Sequence, residues 1–502
     1  MSSLKIVVVG MDVRLAGAGD LDAFARGLYA GNVYFNGGDS GDDAVLASVI
    51  EGALDDAGIP LEAEVAVLTV EAGEGASASL PEALASARQW LAGGDADAVV
   101  VAAGGAGSAG AVVLQTPAQA AAAPRRYAVL EAVEVTAEAR STPEAVAALH
   151  RRAWLQTDLP SASLGYLELA GAADPRREGA PLEGVRRAYR TASGALTCGL
   201  GALAPGGTAP PMAQMAGFIK TVLCLHQRFI PAQPDWQGPE APERWEGTPF
   251  YVDVASRPWF APTGERRVAA FYVPASSQGS GGAVILTDTP SPRRDSRDLQ
   301  HAACLLPLVA ESQAALLARL AGVREALTDA RTEAELHAVA RRCYETYREA
   351  RAARYTLCLV GEDRDALLRD IAFACEGVAR AFETQQPWQT PGGSYFTPRP
   401  LAGEGAVAFV YPGAFNAYPN LGRDLFRLFP QLHERFEEAV SDLGDVMGER
   451  FLYPRSLVPL SRVEQRAAEE ALLAQPVTLI EAGTIFAMLF TSILRDDFGV
   501  RP

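Results

Sequence analysis

Lysine is nearly missing from this chain of 502 residues: Lys5 and Lys220 are the only two, and arginine supplies the other basic side chains. Basic residues are also outnumbered, 44 Lys and Arg against 61 Asp and Glu, which leaves a formal charge of −17 and an isoelectric point near 4.9. A surface of that sign repels phosphates, which argues against a nucleic-acid binder and against a binder of anionic membranes. The six cysteines, Cys198, Cys224, Cys304, Cys343, Cys358 and Cys375, include no C-x-x-C pair. That argues against a zinc site and against a disulfide framework, and fits a reducing cytosol. The five histidines, His150, His226, His301, His337 and His433, lack metal-ligand spacing. No basic-then-apolar leader opens the chain, and the longest strongly apolar run, Ala482 to Leu494, is too short to cross a bilayer and reads as a buried helix. The expectation is a soluble cytoplasmic protein without metal.

A chain of this length holds two to four domains. The first region, 1–288, alternates strands and helices, which predicts an α/β fold with a largely parallel sheet. Lys5 to Val9, Val65 to Val70, Ala98 to Ala103 and Tyr127 to Val135 read as strands. Asp43 to Ala57 reads as a helix with an acidic cap, an apolar face through Val45, Val49 and Ala53, and a stop at Gly58 and Pro60. Pro81 to Leu91 and Pro143 to Trp154 are helices opened by proline.

A second region, 289–404, starts with a charged hinge, Thr289 to Arg297. Leu299 to Ala321, Thr328 to Ala353 and Asp363 to Phe382 read as helices, Arg354 to Val360 as a strand, and Gln385 to Pro400 as a loop. The third region, 405–502, opens GAVAFVYPGAFNAYPNLGRDLF. Val407 to Tyr411 reads as a strand broken by Pro412-Gly413, and Leu421, Leu425, Leu428 and Leu432 follow at helical spacing. A buried strand, a glycine turn and a helix form the usual setting for a site built on backbone N–H groups.

That opening resembles the start of the malonyl/acyl-transferase domain of polyketide and fatty acid synthases, F-x-F-P-G-Q-G-S-Q followed by G-M-G-R-E-L. The match runs through Phe409, Pro412, Gly413, Gly422, Arg423, Leu425, Phe429 and Pro430. It departs at the oxyanion loop, where the family's first Gln is Ala414 and its Gly-Ser-Gln is Phe415-Asn416-Ala417. The resemblance makes Gly413, Ala414 and Asn416 the oxyanion-loop candidates, and a backbone donor survives the change to Ala. LLAQPVTLIEAGTIFAMLFTSILRDDFGVRP is similar to the family's T-x-x-x-Q-P-A-L-F-A stretch, which leads into G-H-S-x-G. No G-x-S-x-G occurs in the sequence, so the nucleophile of that family and its His partner are expected to be missing from it.

The first region resembles a β-ketoacyl synthase along its length. IVVVGMDVRLAGAGDLDAFARGLYAG is similar to the family opening, ALASARQWLAGGDADAVVVAA to the helix and strand after the nucleophile, and MAGFIKTVLCLHQRFIPAQPDW to L-A-G-L-I-K-T-V-L-x-L-x-x-x-x-I-P-P. Condensation needs a Cys thiolate and two histidines. On this resemblance the Cys position falls at or beside Ser77, the first His on Ala170, the second His on Thr208 and the preceding Lys on Leu203. The segments between Phe35 and Ala44 and between Pro60 and Val65 are shorter than in the family. A degenerate ketosynthase kept as a scaffold or dimerisation surface is the expectation.

Together the resemblances imply a reduced thiolase-like, ketosynthase-like domain at 1–288, an αβ linker at 289–404, and at 405–502 the N-terminal part of an α/β-hydrolase-like acyltransferase domain. The arrangement is similar to the PfaB-type subunit of polyunsaturated fatty acid synthases and to type I polyketide synthases. What this implies is a parent protein that moves acyl or malonyl groups from coenzyme A to phosphopantetheine on an acyl carrier protein, with no tightly bound cofactor. The implied partners are carrier domains and other synthase subunits, with a homodimer or heterodimer through the ketosynthase-like domain. The alternative is a non-catalytic scaffold or chain-length partner within a synthase complex.

Overall fold

The structure, a computed structural model, describes residues 4–32, 43–60, 63–70, 79–105, 107–136, 142–170, 178–191, 194–203, 210–275, 279–289, 304–350, 352–400, 406–413 and 416–500, without the side chains of 333 and 334. The chain forms two compact units, one of residues 1–298 and 411–493, the other of 299–410 and 494–502.

The strands of the first unit are β1 (Ile6–Arg14), β2 (Val65–Val70), β3 (Ala98–Gly105), β4 (Ser108–Gln115), β5 (Ala128–Thr136), β6 (Leu164–Leu169), β7 (Cys198–Gly201), β8 (Phe229–Ile230), β9 (Phe250–Tyr251), β10 (Arg257–Pro258), β11 (Val268–Val273) and β12 (Gly281–Thr287). Ten of them make one sheet in the order β2-β3-β4-β1-β5-β12-β11-β6-β7-β9, while β8 and β10 pair separately. The sheet is mixed, where a largely parallel one was expected. Its outer pairs β2–β3, β11–β6, β6–β7 and β7–β9 are parallel, but the central run from β3 to β11 is antiparallel throughout. The cause is local: β3 turns straight into β4, and β11 into β12, through connections too short for a parallel crossover.

Between these strands lie α1 (Leu21–Ala30), α2 (Asp43–Ala57), α3 (Leu80–Gly93), α4 (Pro143–Leu155), α5 (Ala180–Tyr189) and α6 (Pro211–Gln227). The sheet consists of two similar halves that meet where β1 pairs antiparallel with β5, Ile6 opposite Leu130. Reading outward, β1-β4-β3-β2 repeats as β5-β12-β11-β6, in each case an antiparallel neighbour, its hairpin mate and then a parallel strand. Helix α3 joins β2 to β3, and α6 stands on the route from β6 and β7 to β11. This duplicated α/β layout is the one expected of a thiolase-like domain.

Alternation along each strand decides which helix it meets. Ile6 and Val8 face one core with α3 and α6, while Val7 and Val9 face another with α2. In the second half Phe271 joins the α3/α6 core, and Ala270 and Tyr272 join that of α4 and α5. Helix α6 is buried almost on every side, including Gln214, Lys220 and Thr221.

Residues 411–493 complete this unit with helices α10 (Leu425–Leu428), α11 (Gln431–Glu437), α12 (Leu443–Val446), α13 (Glu449–Leu452), α14 (Arg462–Leu473) and α15 (Pro476–Ser492). Their core includes Phe260 of the sheet domain. The expected strand at Val407 to Tyr411 does not form. Among the described residues nothing pairs with that stretch, and Val410 is 89 % exposed; an apolar run becomes a strand only where another edge takes its backbone hydrogen bonds. The apolar C-terminal run is also longer than expected, because Pro476–Asp497 is one helix of 22 residues. By length and composition it could cross a membrane, and 39 % of its most apolar 18-residue window is buried here.

The second unit has β13 (Cys304–Ala310), β14 (Tyr355–Gly361), β15 (Trp388–Gln389) and β16 (Tyr395–Phe396), ordered β13-β14-β16-β15, with α7 (Gln313–Asp329), α8 (Glu333–Glu349) and α9 (Arg364–Thr384). The helix expected over Leu299 to Ala321 is therefore corrected: 299–303 lie outside the described residues, 304–310 are a strand, and the helix starts at Gln313. Pro307 is the reason, since a mid-helix proline removes a hydrogen bond and clashes with the preceding turn, whereas an edge strand tolerates it. Trp388 and Phe396, expected in a loop, belong to a short β-ribbon packed in this unit's own core. Phe396 lies 5.1 Å from the ring of Phe382.

Candidate functional site

The resemblance puts the nucleophile position of its family just before α3. Ser77 lies outside the described residues; the first residue seen is Ser79, the helix cap. Ser79 is buried in an extended conformation, and its Oγ accepts the Glu82 N–H at 3.4 Å. Its Oγ also lies 2.9 Å from Ser280 Oγ, and Ser280 donates to Glu82 Oε2 at 3.0 Å. The Leu80 N–H donates to Gln214 Oε1 of α6 at 2.9 Å. Protein groups thus occupy N–H donors that a helix amino end otherwise offers to an anion.

At the end of β6 stands Ala170, buried, its N–H donated to Tyr272 O at 2.9 Å. A methyl group neither carries a proton nor polarises a carbonyl. Two residues earlier Glu168 is completely buried. Its Oε2 accepts the Tyr166 hydroxyl and lies 2.9 Å from Lys220 Nζ of α6, and its Oε1 accepts the Leu203 N–H at 2.8 Å. Leu203, where the resemblance puts the family lysine, contributes its backbone N–H to this cluster, and Thr208 lies outside the described residues. One carboxylate thereby ties β6, the exit of β7 and α6 together.

Taking two such charges out of water costs several kcal/mol each, and only short charge-assisted contacts offset it. Glycine at 201 makes room, since a Cβ there would lie 1.9 Å from Tyr166 Oη and 2.4 Å from Glu168 Oε2. Burial first, and then the Glu168 charge, pushes the Tyr166 phenol well above its ordinary value, so it remains a donor. Burial likewise raises the thiols of Cys198 and Cys224, which are fully enclosed. His150 and His226 are on helices of opposite faces, α4 and α6, and His150 Nδ1 is 3.0 Å from Tyr189 Oη. The Tyr166–Glu168–Lys220 cluster was not among the residues singled out from sequence. Its one signal there was a lysine inside the apolar stretch MAGFIKTVLC, in a chain with two lysines.

At the other candidate loop, Gly413 and Asn416 are exposed, and the Asn416 side-chain amide folds back to donate to the Gly413 carbonyl. Ala414 lies outside the described residues. The structure thus brings Gly413 and Asn416 together, but not with the cluster around Glu168 by any contact among the described residues. No group of three or more His, Cys, Asp or Glu among the described residues could hold a metal ion.

No protein-family model matches the sequence. Among curated proteins, the chain is similar to a polyunsaturated fatty acid synthase component of a Thraustochytrium species, 32 % identical over 309 residues, which is 57 % of this chain and 15 % of that protein. It is similar also to a phenolphthiocerol/phthiocerol polyketide synthase component of Mycobacterium tuberculosis, 25 % identical over 316 residues, covering 62 % of this chain and 20 % of that one. The resemblance to synthase subunits read from the sequence is borne out, over a span well short of the relatives' own length. Among solved structures, a ketosynthase from module 6 of the bacillaene synthase of Bacillus subtilis aligns with TM-score 0.49 and 16 % identity, over 74 % of this chain and 84 % of that one. One from module 1 of the bacillaene synthase of Bacillus amyloliquefaciens aligns with TM-score 0.48 and 18 % identity, over 74 % and 90 %.

Proposed function

We propose, on the premise that this chain is kin to polyunsaturated fatty acid and polyketide synthase subunits, that its 1–288 region is a ketosynthase-like shell that no longer condenses. The parent protein transfers acyl or malonyl groups from coenzyme A to the phosphopantetheine of an acyl carrier protein, through an acyl-serine. The observation that carries the first half is Ala170, two residues past the buried Glu168 of the Tyr166–Glu168–Lys220 cluster, where the family mechanism needs an imidazole open to a thioester. The second half rests on the likeness of 405–502 to an acyltransferase opening, with Gly413 and Ala414 supplying backbone N–H groups to the oxyanion. Region 289–404 is then the linker, and carrier domains and sister subunits are the partners, met in the cytoplasm.

The test is to incubate the full-length gene product with malonyl- or acyl-coenzyme A and weigh the intact protein by mass spectrometry. The expected result is an acyl adduct that passes to an added holo carrier protein, with no carbon dioxide released from malonyl carrier protein. Release of carbon dioxide would overturn the first half. Failure to load would overturn the second and favour the scaffold or chain-length reading.

A further inference from the structure

In the second unit an open groove of about 410 Å³ is lined by β13, α7 and α8. Leu308 and Val339 bring the unit's buried core to its surface, and Val323 and Ala326 pack half-buried beside them. Two guanidiniums, Arg319 of α7 and Arg342 of α8, belong to the same lining. Neither makes an ion pair with an acid among the described residues. Arg319 has no acidic residue three or four positions away on its helix, and Glu345, three positions on from Arg342, does not pair with it. In a chain of net charge −17, two cations left without a carboxylate are a local exception.

The two charges converge on one point. Burial raises the Cys343 thiol, also part of the lining, and Arg342 and Arg319 both pull it back down, so each guanidinium stands near that sulfur. Like charges gathered there repel until an anion joins them. Gly322 lies in mid-helix on the same lining, where glycine weakens a helix relative to alanine. Packing does not demand it, since a Cβ there would meet nothing within 4 Å. Its effect is to keep the groove open.

We propose that this groove binds a medium-chain fatty carboxylate, its head between Arg319 and Arg342 and its tail along Leu308, Val323 and Val339. A carboxylate only accepts, and it matches the planar fork of a guanidinium with charge-assisted hydrogen bonds. A bare anion would leave the apolar wall wet, and a neutral alkyl chain would leave the two cations unanswered. The volume falls within the roughly 300–1,000 Å³ of small-molecule sites. This inference goes beyond the acyl-transfer reading and does not rest on it, because the groove lies in another region and takes a free acid.

Ligand-observed NMR saturation transfer on the intact chain tests it, with octanoate as probe. Octanol supplies the tail alone and acetate the head alone. Two variants accompany them: the double substitution Arg319→Gln with Arg342→Gln, which removes the charge and keeps polar side chains, and Gly322→Phe, which fills the groove from open space. Octanoate is expected to bind the unsubstituted chain at least about tenfold more tightly than octanol or acetate, and at least about tenfold more tightly than it binds either variant. If one variant misfolds by circular dichroism, the other decides. Absence of octanoate binding, octanol or acetate bound as tightly as octanoate, or a loss of less than about threefold in a folded variant would overturn the proposal.

Discussion

Replacing Lys220 by methionine removes one charge of a buried pair and leaves the other. Glu168 would keep the Tyr166 hydroxyl and the Leu203 N–H but lose its cation, and breaking such a pair costs about 3–5 kcal/mol. The double variant with Glu168→Gln is expected to recover most of that loss in denaturant unfolding, because no charge is left stranded. If the single and double variants unfolded at the same denaturant concentration, the pair would carry no energetic coupling. A second residue makes the molecule acid-sensitive. Burial pushes the His433 imidazole down to about 3, despite the Glu437 carboxylate 3.8 Å away, and Arg267 and Arg228 press the same way. Phe260 and Phe426 pack against its ring, each tilted by 48°. Burial does the same to His150. Both histidines take up a proton on unfolding once pH falls below about 6.5, so their stability is whole above that and drains away as pH drops toward 3. Glu437, held down to about 2 against its own desolvation by His433 and Arg267, adds a further loss only below its unfolded value of about 4.5. His433→Phe is therefore expected to reduce the slope of unfolding free energy between pH 5 and 6 by about 1.2 kcal/mol per unit, leaving the share of His150; an unchanged slope would refute it. Lone positions of this kind are hard to read in a sequence. The resemblance makes Ala170 the place of a missing imidazole, but that Glu168 and Lys220 meet depends on β6 and α6 being packed side by side.

Among elements, those with both a periodic face and a chemical stop were legible. Helix α2 runs Asp43–Ala57 among the described residues and stops as read at Gly58, whose φ is +63°. Helix α3 begins one residue before Pro81, capped by Ser79. Elements that depend on a distant edge were not. Apolar runs at 304–310 and 407–411 look alike locally, yet the first found β14 and became a strand, whereas the second forms no strand pairing among the described residues. β13 is the outer strand of its sheet, with Leu305 half exposed and Pro307 in mid-strand. Proline lacks an N–H and blunts an open edge. Pro307→Val restores a donor to that edge and should promote edge-to-edge pairing, seen as concentration-dependent association in analytical ultracentrifugation. A variant that sediments as the unsubstituted chain does at every concentration would sink that account.

At the scale of the molecule, an α/β domain was legible in the alternation of strands and helices, but neither its antiparallel centre nor the fate of the C-terminal helices was. Read in order, residues after 404 look like a separate domain; in space, 411–493 belong with the sheet. The reason is a set of buried charges on the sheet domain whose partners come from those helices. Arg267 is held by Asp288 at 3.0 Å and by Glu437, Arg228 by Glu434 at 3.4 Å, and Arg257 by Asp253 at 2.9 Å and Glu449 at 3.2 Å. The Tyr29 hydroxyl donates to Asp424 at 2.9 Å, and Phe260 enters the helices' core. A chain ended at Asp298 would strip Arg257 and Arg267 of one carboxylate each, open Phe260 to water, and remove the Leu457 carbonyl that anchors Trp236. Each of these is a buried group losing its partner, and such losses cost roughly 1–3 kcal/mol apiece. The shortened chain is therefore expected to melt well below the intact one, to bind a hydrophobic dye, and to exchange amide hydrogens rapidly over 228–236 and 250–260. Equal melting temperatures with those segments still protected would mean that the sheet domain is self-sufficient and the helices merely rest upon it.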